Sequence, residues 1–418
     1  MRIALLSYRT KEHSGGQGVY VRNLAAGLAE LGHEVEVLSG QPYPETLDPR
    51  VRLTRVPSLD LYREPDPFRI PRPSEFTDRI DVLEYATTLT ACFAEPLAFS
   101  LRAARILKDR AVDFDVVHDN QSLGYGLLPI SRRLPLVATI HHPISRDRRL
   151  ALSAAPWYRK LSVARWYGFV RMQARVARRV PVILGVSNVA AADAVDDFRL
   201  ERERIHVVPL GVDTDLFAPS AAPDRVPGRI VAVASADAPL KGVTYLLDSV
   251  AKLRTERAVE LQLVCRLEPG GATERQISAL GLHDCVQVTN GLTDAELARL
   301  LASAEVMCVP SLYEGFSLPT VEALACATPV VASRAGALPE VLGTDGEAAV
   351  LVEPGDAEAL ATQIGRLLDD PQERDRLGAN GRARAEDRYG WLSVARATVD
   401  AYQRAIALHR NEVADAHR

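Results

Sequence analysis

Residues 310–322 read Pro310-Ser311-Leu312-Tyr313-Glu314-Gly315-Phe316-Ser317-Leu318-Pro319-Thr320-Val321-Glu322, directly after the apolar run Val306-Met307-Cys308-Val309. That run has the length and composition of a buried strand, so the stretch begins at a strand's C-terminal end. Gly315 lets the backbone come close to a ligand, Ser317 suits a helix N-cap, and Pro319 suits a helix's first turn. A helix is therefore expected to run on through Ala323 and Leu324. Its N-terminus offers unpaired N–H groups and a positive dipole, a favourable setting for a diphosphate. Glu314 stands just before that end and Glu322 within its early turns. A carboxylate there accepts paired hydrogen bonds from sugar hydroxyls, or else serves the helix start alone.

Outward from this βα unit the same rhythm repeats. Ile3-Ala4-Leu5-Leu6, a helical pattern near 18–31 and Val35-Glu36-Val37-Leu38 form an opening βαβ, followed by runs at 116–118, 136–140 and 182–186. A second series, at 230–233, 261–264, 286–288, 306–309 and 329–332, begins after the proline-containing stretch 218–228. Such runs read as buried parallel strands. The expected architecture is α/β with two Rossmann-like, doubly wound domains facing across a cleft, and ligands at the strand C-terminal ends. The expected boundaries are 1–212 with 391–412 for an acceptor-binding domain, and 213–390 for the donor-binding one; the segment starting at Trp391 is expected to cross back. No GxGxxG follows the first strand of either half, which argues against a dinucleotide enzyme.

Bulk properties narrow the class further. The 418 residues carry a formal charge of -4, with 47% apolar residues, so the chain has ample core and no basic excess for coating nucleic acid. Five cysteines at 92, 265, 285, 308 and 326 form no CxxC pair, which points to reduced thiols in the cytoplasm. No run of 18 uncharged apolar residues marks a membrane span.

Two segments break the regularity. Residues 42–73 hold eight prolines and are expected to form an extended loop. Residues 148–192 hold nine Arg or Lys and no acidic residue, with Trp157, Leu161, Trp166, Phe169, Val170 and Met172 interleaved. That pattern fits either a helix packed on its own domain or one lying against an anionic membrane or substrate.

The spacing Glu314 to Glu322, with the flanking Pro310–Pro319 text, Gly336-Ala-Leu-Pro-Glu340 and Leu351-Val-Glu-Pro-Gly-Asp356, resembles the E-x7-E motif of retaining family 4 glycosyltransferases of GT-B fold. The resemblance extends to Ser14-Gly15-Gly16 in the first turn, to Pro209-Leu210-Gly211-Val212-Asp213 between the domains, and to Lys241-Gly242 after the second domain's first strand. It implies that Glu322 binds the nucleotide ribose and Glu314 the transferred sugar, that backbone of Gly315, Phe316, Ser317 and Leu318 meets diphosphate and sugar, and that Gly15 and Gly16 give the donor close approach. Lys241 would neutralise the departing diphosphate. The family often carries Arg five residues before this lysine, where this chain has Ala236; Arg266, at the end of the next strand, is the candidate second cation. His141, in Ala138-Thr-Ile-His141-His142, matches the family position beside the donor sugar. His118 and Asn120 are acceptor-side candidates, with a structural role the alternative for the histidine.

The resemblance implies transfer of a hexose from UDP- or GDP-hexose to an acceptor hydroxyl with retention, catalysed by Glu314, Lys241 and His141. No tightly bound cofactor is expected, and no Asp-x-Asp or His/Cys cluster suggests a metal. The acceptor would be lipid-linked, phosphorylated or a small metabolite, with no nucleic-acid partner, and the basic segment allows peripheral membrane contact. The alternatives are a catalytically impaired nucleotide-sugar-binding subunit, which Ala236 keeps open, and a GT-B nucleotide-sugar epimerase.

Overall fold

The computed structural model describes residues 1–10, 16–63, 66–142, 144–219, 225–234 and 237–416. The chain forms two compact units, residues 1–208 with 394–418, and residues 209–393.

Unit 1 holds β1 (Arg2–Ser7), β2 (Glu34–Ser39), β3 (Arg52–Arg55), β4 (Val116–Asn120), β5 (Leu136–Ile140), β6 (Val182–Gly185) and β7 (Ile205–Val207), in the spatial order β3-β2-β1-β4-β5-β6-β7. Unit 2 holds β8 (Arg229–Val233), β9 (Glu260–Val264), β10 (Val286–Thr289), β11 (Val306–Val309), β12 (Val330–Ser333) and β13 (Ala349–Val352), ordered β10-β9-β8-β11-β12-β13. Every pairing in both sheets is parallel. Parallel strands joined by helices are covered on both faces, which explains why the strands read as unbroken apolar runs. Ile3, Leu5 and Leu6 of β1, and Ile230 and Val231 of β8, are fully buried. Each such side chain contributes ~1.5–3 kcal/mol of burial free energy.

In each sheet the winding reverses once, between β1 and β4 in unit 1 and between β8 and β11 in unit 2. Crossovers leave such a point in opposite directions, so the loops after those two strands part and open a crevice at their C-terminal ends.

Three features differ from the sequence expectation. The proline-rich segment contains a strand, β3, because Pro49 and Pro57 bracket a proline-free stretch that pairs with β2 from Glu36↔Arg52 to Ser39↔Arg55. The basic segment is not one helix: it is broken at Pro156 and Gly168 into helices Ser145–Ala154, Lys160–Trp166 and Phe169–Ala177. Val170, Met172 and Val176 of the last of these pack into the unit 1 core, which leaves Trp157, Tyr158 and Leu161 on the surface at 85%, 67% and 67% exposure. Unit 2 begins at Pro209 and keeps residues 391–393, since the Val212 N–H donates to the Tyr389 carbonyl at 2.7 Å and Val212 bridges Gly390. A Cβ on Gly211 would lie 2.4 Å from the Trp391 ring, so this turn admits only glycine. The helix Trp391–Ala416 starts in unit 2 and continues through unit 1.

Candidate active site

In unit 2 the two strands that flank the winding reversal each deliver one charged side chain. After β8 the chain makes a short 3-10 turn, Pro239–Lys241, and enters the helix Val243–Leu253 through Gly242 at φ +64°. A Cβ there would sit 2.0 Å from the Pro310 carbonyl oxygen, so glycine lets the β8 loop press against the β11 loop. The Leu312 N–H donates to the Leu240 carbonyl at 2.8 Å and stitches the two loops together.

That stitching brings Lys241 to Glu314. The ammonium donates to Glu314 Oε1 at 2.8 Å, and Ser311 Oγ donates to the same oxygen at 2.7 Å. The Glu314 side chain is buried while Lys241 stays one-third exposed, so the cation is the partner open to a ligand. Gly336, at φ +54°, presses on the Glu314 backbone, and the Ala337 N–H donates to the Glu314 carbonyl at 2.9 Å.

The helix after this loop runs Leu318–Ala325 with Pro319 in its first turn. Ser317 precedes it but does not cap it: its backbone is left-handed, φ 80° and ψ 80°, and its hydroxyl pairs with Thr320 Oγ1 at 2.7 Å instead of with a backbone N–H. A non-glycine residue held in that region carries backbone strain at the point where the loop meets the helix. The Phe316 side chain is buried edge-on against Tyr389, ring centroids 5.8 Å apart, so only its backbone belongs to the loop surface. Gly315 stands at a bend of the loop and Leu318 opens the helix.

Glu322 is partly open to solvent, yet no described residue hydrogen-bonds its carboxylate. Burial, with the Asp294 charge as a lesser cause, pushes its carboxyl up to about 8. A carboxyl crowded by protein and left without donors holds its proton more readily. Arg266 is exposed at the end of β9, with no partner among the described residues. Ala236, like Gly15, lies outside the described residues.

In unit 1 the reversal between β1 and β4 gathers the histidines. Gly16 begins the helix Gly16–Glu30. His141 follows β5, with Nε2 donating to Asn120 Oδ1 at 2.7 Å. The amide is oriented by its Nδ2, which donates to the Gln17 carbonyl at 3.3 Å, so the histidine tautomer is the Nε2–H form. Burial first, and the neighbouring His142 second, drop the His141 pKa to about 3, leaving a neutral ring. Asn120, an acceptor-side candidate from sequence, is therefore fully buried and spent on holding His141.

His118 is likewise corrected. It is fully buried, and both ring nitrogens are engaged, Nδ1 with the Tyr402 hydroxyl and Nε2 with Thr139 Oγ1, each at 2.7 Å. No ring atom remains to meet an acceptor.

Sequence reading misses Ser311, Tyr20, Thr139 and Gln121. Gln121 clips the loop after β4 to the loop after β5: its Oε1 accepts the His141 N–H, and its Nε2 donates to the His142 carbonyl, both at 2.7 Å. It does so from a left-handed backbone, φ 54°. Its place just after His118-Asp-Asn, at a strand's end, is the one signal that marks it.

Among the described residues no cluster of His, Cys, Asp or Glu is placed to hold a metal ion, and no helix is long and apolar enough to cross a membrane.

A family model described as glycosyl transferases group 1 matches residues 227–370, and one described as glycosyltransferase family 4 matches residues 14–216. An MMP alpha-(1->4)-mannosyltransferase of Mycolicibacterium hassiacum is 65% identical over 97% of this chain and 99% of its own. A D-inositol 3-phosphate glycosyltransferase of Xylanimonas cellulosilytica is 30% identical over 97% of each chain. Among solved structures, sucrose-phosphate synthase of Thermosynechococcus elongatus is similar at a TM-score of 0.71 and 23% identity, over 97% of this chain and 99% of that one. Anabaena HepE in complex with UDP and glucose is similar at a TM-score of 0.68 and 19% identity, over 96% and 99%. At these identities the two structures show the fold.

Proposed function

Because the chain belongs to the family 4 glycosyltransferases, the glycosyl transferases group 1, and is a glycosyltransferase of GT-B fold, we propose that it transfers a mannosyl residue from a nucleoside diphosphate mannose to a sugar hydroxyl with retention. The observation that carries this reading is the Lys241–Glu314 pair, 2.8 Å apart at the winding reversal of unit 2 and at the mouth of the helix Leu318–Ala325. Unit 2 takes the donor and unit 1 the acceptor. Glu322 receives the ribose hydroxyls, Glu314 the hydroxyls of the transferred sugar, and the backbone from Gly315 to Leu318 the diphosphate. Lys241, with Arg266 as the second cation, balances the leaving group.

The chemistry needs charge stabilisation more than proton transfer. As the anomeric carbon's bond to the diphosphate oxygen breaks, negative charge grows on the phosphate, where a cation and a helix N-terminus stabilise it. The acceptor oxygen bonds to the same face of that carbon, and its proton passes to the departing phosphate. Glu314 is engaged by Lys241 and Ser311, which suits a sugar-binding carboxylate and not a covalent nucleophile. His141, neutral and fixed by Asn120, orients the donor sugar. The relative's α-(1→4) linkage supports mannose as the sugar and O4 of a second sugar as the acceptor. With an α-linked nucleoside diphosphate mannose as donor, such an α-linked product would mean retention. Binding without activity, or epimerisation, gains no support from relatives that are transferases.

A second reading concerns location. Trp157, Tyr158 and Leu161 are exposed beside the exposed Arg159, Lys160 and Arg165, which supports peripheral contact of a cytoplasmic enzyme with an anionic membrane.

Calorimetric titration with GDP, UDP and ADP, with and without EDTA, tests the donor site. Selective, EDTA-insensitive binding that is lost in Glu322→Ala is expected, and the nucleotide so identified, as its mannose ester, should glycosylate methyl α-mannoside with an α anomeric signal by NMR. Binding by none of the nucleotides would sink the assignment.

A further inference from the structure

Behind His141 runs a buried row of polar side chains that the proposed chemistry does not use. It starts on the long C-terminal helix Trp391–Ala416, whose Tyr402 is fully buried in unit 1. The Tyr402 hydroxyl meets His118 Nδ1 at 2.7 Å, and His118 Nε2 meets Thr139 Oγ1 at 2.7 Å. The same Oγ1 lies 3.1 Å from the Tyr20 hydroxyl. The Tyr20 ring then stands edge-on to the His141 ring, with centroids 4.9 Å apart and planes at 87°.

A neutral imidazole has one N–H and one lone pair, so the row has a single sense. Either Tyr402 donates to His118 and His118 to Thr139, or the order is reversed. In both cases each hydroxyl is fixed by the next group, and the low-dielectric surroundings strengthen the whole chain. Tyr20 cannot tilt without leaving Thr139. If it did, His141 would lose the ring edge it rests against and would be held by Asn120 and its own backbone alone.

We infer that Tyr402 is a positioning residue: through His118, Thr139 and Tyr20 it fixes the attitude of the His141 ring, so the C-terminal helix has a part in turnover as well as in folding. The inference rests on the proposed role of His141 beside the donor sugar.

The test is steady-state turnover of the full chain with GDP-mannose, or the mannose ester of whichever nucleotide binds, and methyl α-mannoside. Tyr402→Phe and Thr139→Val are expected to lower kcat about 10- to 100-fold, the range for slight misplacement of reacting groups. Donor KM should stay within about twofold, because uniform binding is untouched. Thr139→Ser, which keeps the hydroxyl, should restore kcat. The double variant Tyr402→Phe/Thr139→Val should be no slower than the worse single one, since both cut the same row. Leu107→Ala, in the unit 1 core, serves as a control that lowers Tm while leaving kcat in place. Full kcat in Tyr402→Phe, alongside a dead His141→Ala, would overturn the positioning role alone. Full kcat in His141→Ala would overturn the reading beneath it as well. Should Thr139→Val not fold, Tyr402→Phe, which removes a single oxygen, decides the matter.

Discussion

Lys241 Nζ lies 2.8 Å from Glu314 Oε1, joining the loop after β8 to the loop after β11 across the winding reversal of unit 2. The pair is neutral as it stands, with the lysine the more exposed member. An incoming diphosphate would therefore meet a cation already held in place and would not have to order a free side chain.

Removing that cation leaves Glu314 with Ser311 alone and, on the proposed assignment, withdraws the charge that balances the leaving group. Lys241→Ala is expected to lower kcat/KM about 100- to 1,000-fold, the scale for loss of one preorganised stabilising group. Glu314→Gln should lower it as well. The double variant should fall short of the summed losses, because each single change also strands its partner. Rates at saturating acceptor, measured for the four members of the cycle, check this; strict additivity would mean the two residues act apart.

Glu322 gives a pH signature whose sign is fixed. Its ordinary value of 4.5 is raised to about 8 by burial, so near neutrality the folded protein holds a proton there that ribose must displace if it binds the ionised form. Nucleotide binding at pH 7 should then release about one proton, and affinity should fall by up to about tenfold per pH unit below 8. Calorimetry in two buffers of different ionisation enthalpy counts that proton. Glu322→Gln should bind more weakly and release none. For stability the folded state binds the extra proton between 4.5 and about 8, so this group's contribution is lost as pH rises through that window.

His118 and His141 act in the opposite sense. Burial lowers both His118 and His141 from 6.5 to about 3. Between those values the unfolded chain binds protons that the folded chain does not, so stability falls as pH drops below 6.5. Glu322 acts the other way over the same range, so the histidine effect is read by difference: from pH 7.5 to 5.5 the urea midpoint of His118→Asn should gain on that of the unaltered protein. Because His141 stays neutral, kcat should show no limb near pH 6.5 that disappears in His141→Asn.

How much of the molecule is legible in the sequence follows from where the signal is local. The apolar runs locate ten of the strands, and the stretch from Val306 to Glu322 places strand, loop and helix as found, because periodicity and proline position are properties of neighbouring residues. β3 and β7 are not legible: they are short, poorly buried, and exist because an edge is already there to pair with, while β13, as apolar as the others, is overlooked among the loops after β12. The pairing of Glu314 with Lys241 joins loops 73 residues apart, and His118 is decided by Tyr402, 284 residues away. A histidine at a strand end reads the same whether it faces a ligand or a tyrosine. Ser317 looks like a cap by composition, and its left-handed backbone is imposed by the loop, which no local pattern encodes.

Gly336 tests how tightly the loop is held. At φ +54°, where a Cβ would meet the Glu314 carbonyl oxygen at 2.2 Å, alanine suffers both backbone strain and a clash with the residue that holds Lys241. Gly336→Ala should destabilise the protein by about 1–3 kcal/mol and weaken nucleotide binding beyond what an equally destabilising core change does. Urea midpoints and calorimetry on Gly336→Ala and Leu107→Ala, side by side, separate the two effects; equal affinity in both would show that Glu314 does not depend on this contact.

The surface cations sort themselves by what already occupies them. Arg175 donates to the Tyr125 hydroxyl at 3.0 Å and Arg178 to the Phe198 carbonyl at 2.9 Å, so those two are committed to unit 1 itself. Arg159, Lys160 and Arg165 are exposed and have no partner among the described residues, and Trp157, Tyr158 and Leu161 stand beside them. An anionic bilayer would gain from both, with aromatic rings at the headgroup level and about 1 kcal/mol for each cation near the surface. Replacing Arg159, Lys160 and Arg165 together by Glu should abolish sedimentation with phosphatidylglycerol vesicles while leaving nucleotide affinity unchanged, and salt should weaken the wild-type interaction. Equal sedimentation of the triple variant would show that these cations only solvate the surface of unit 1.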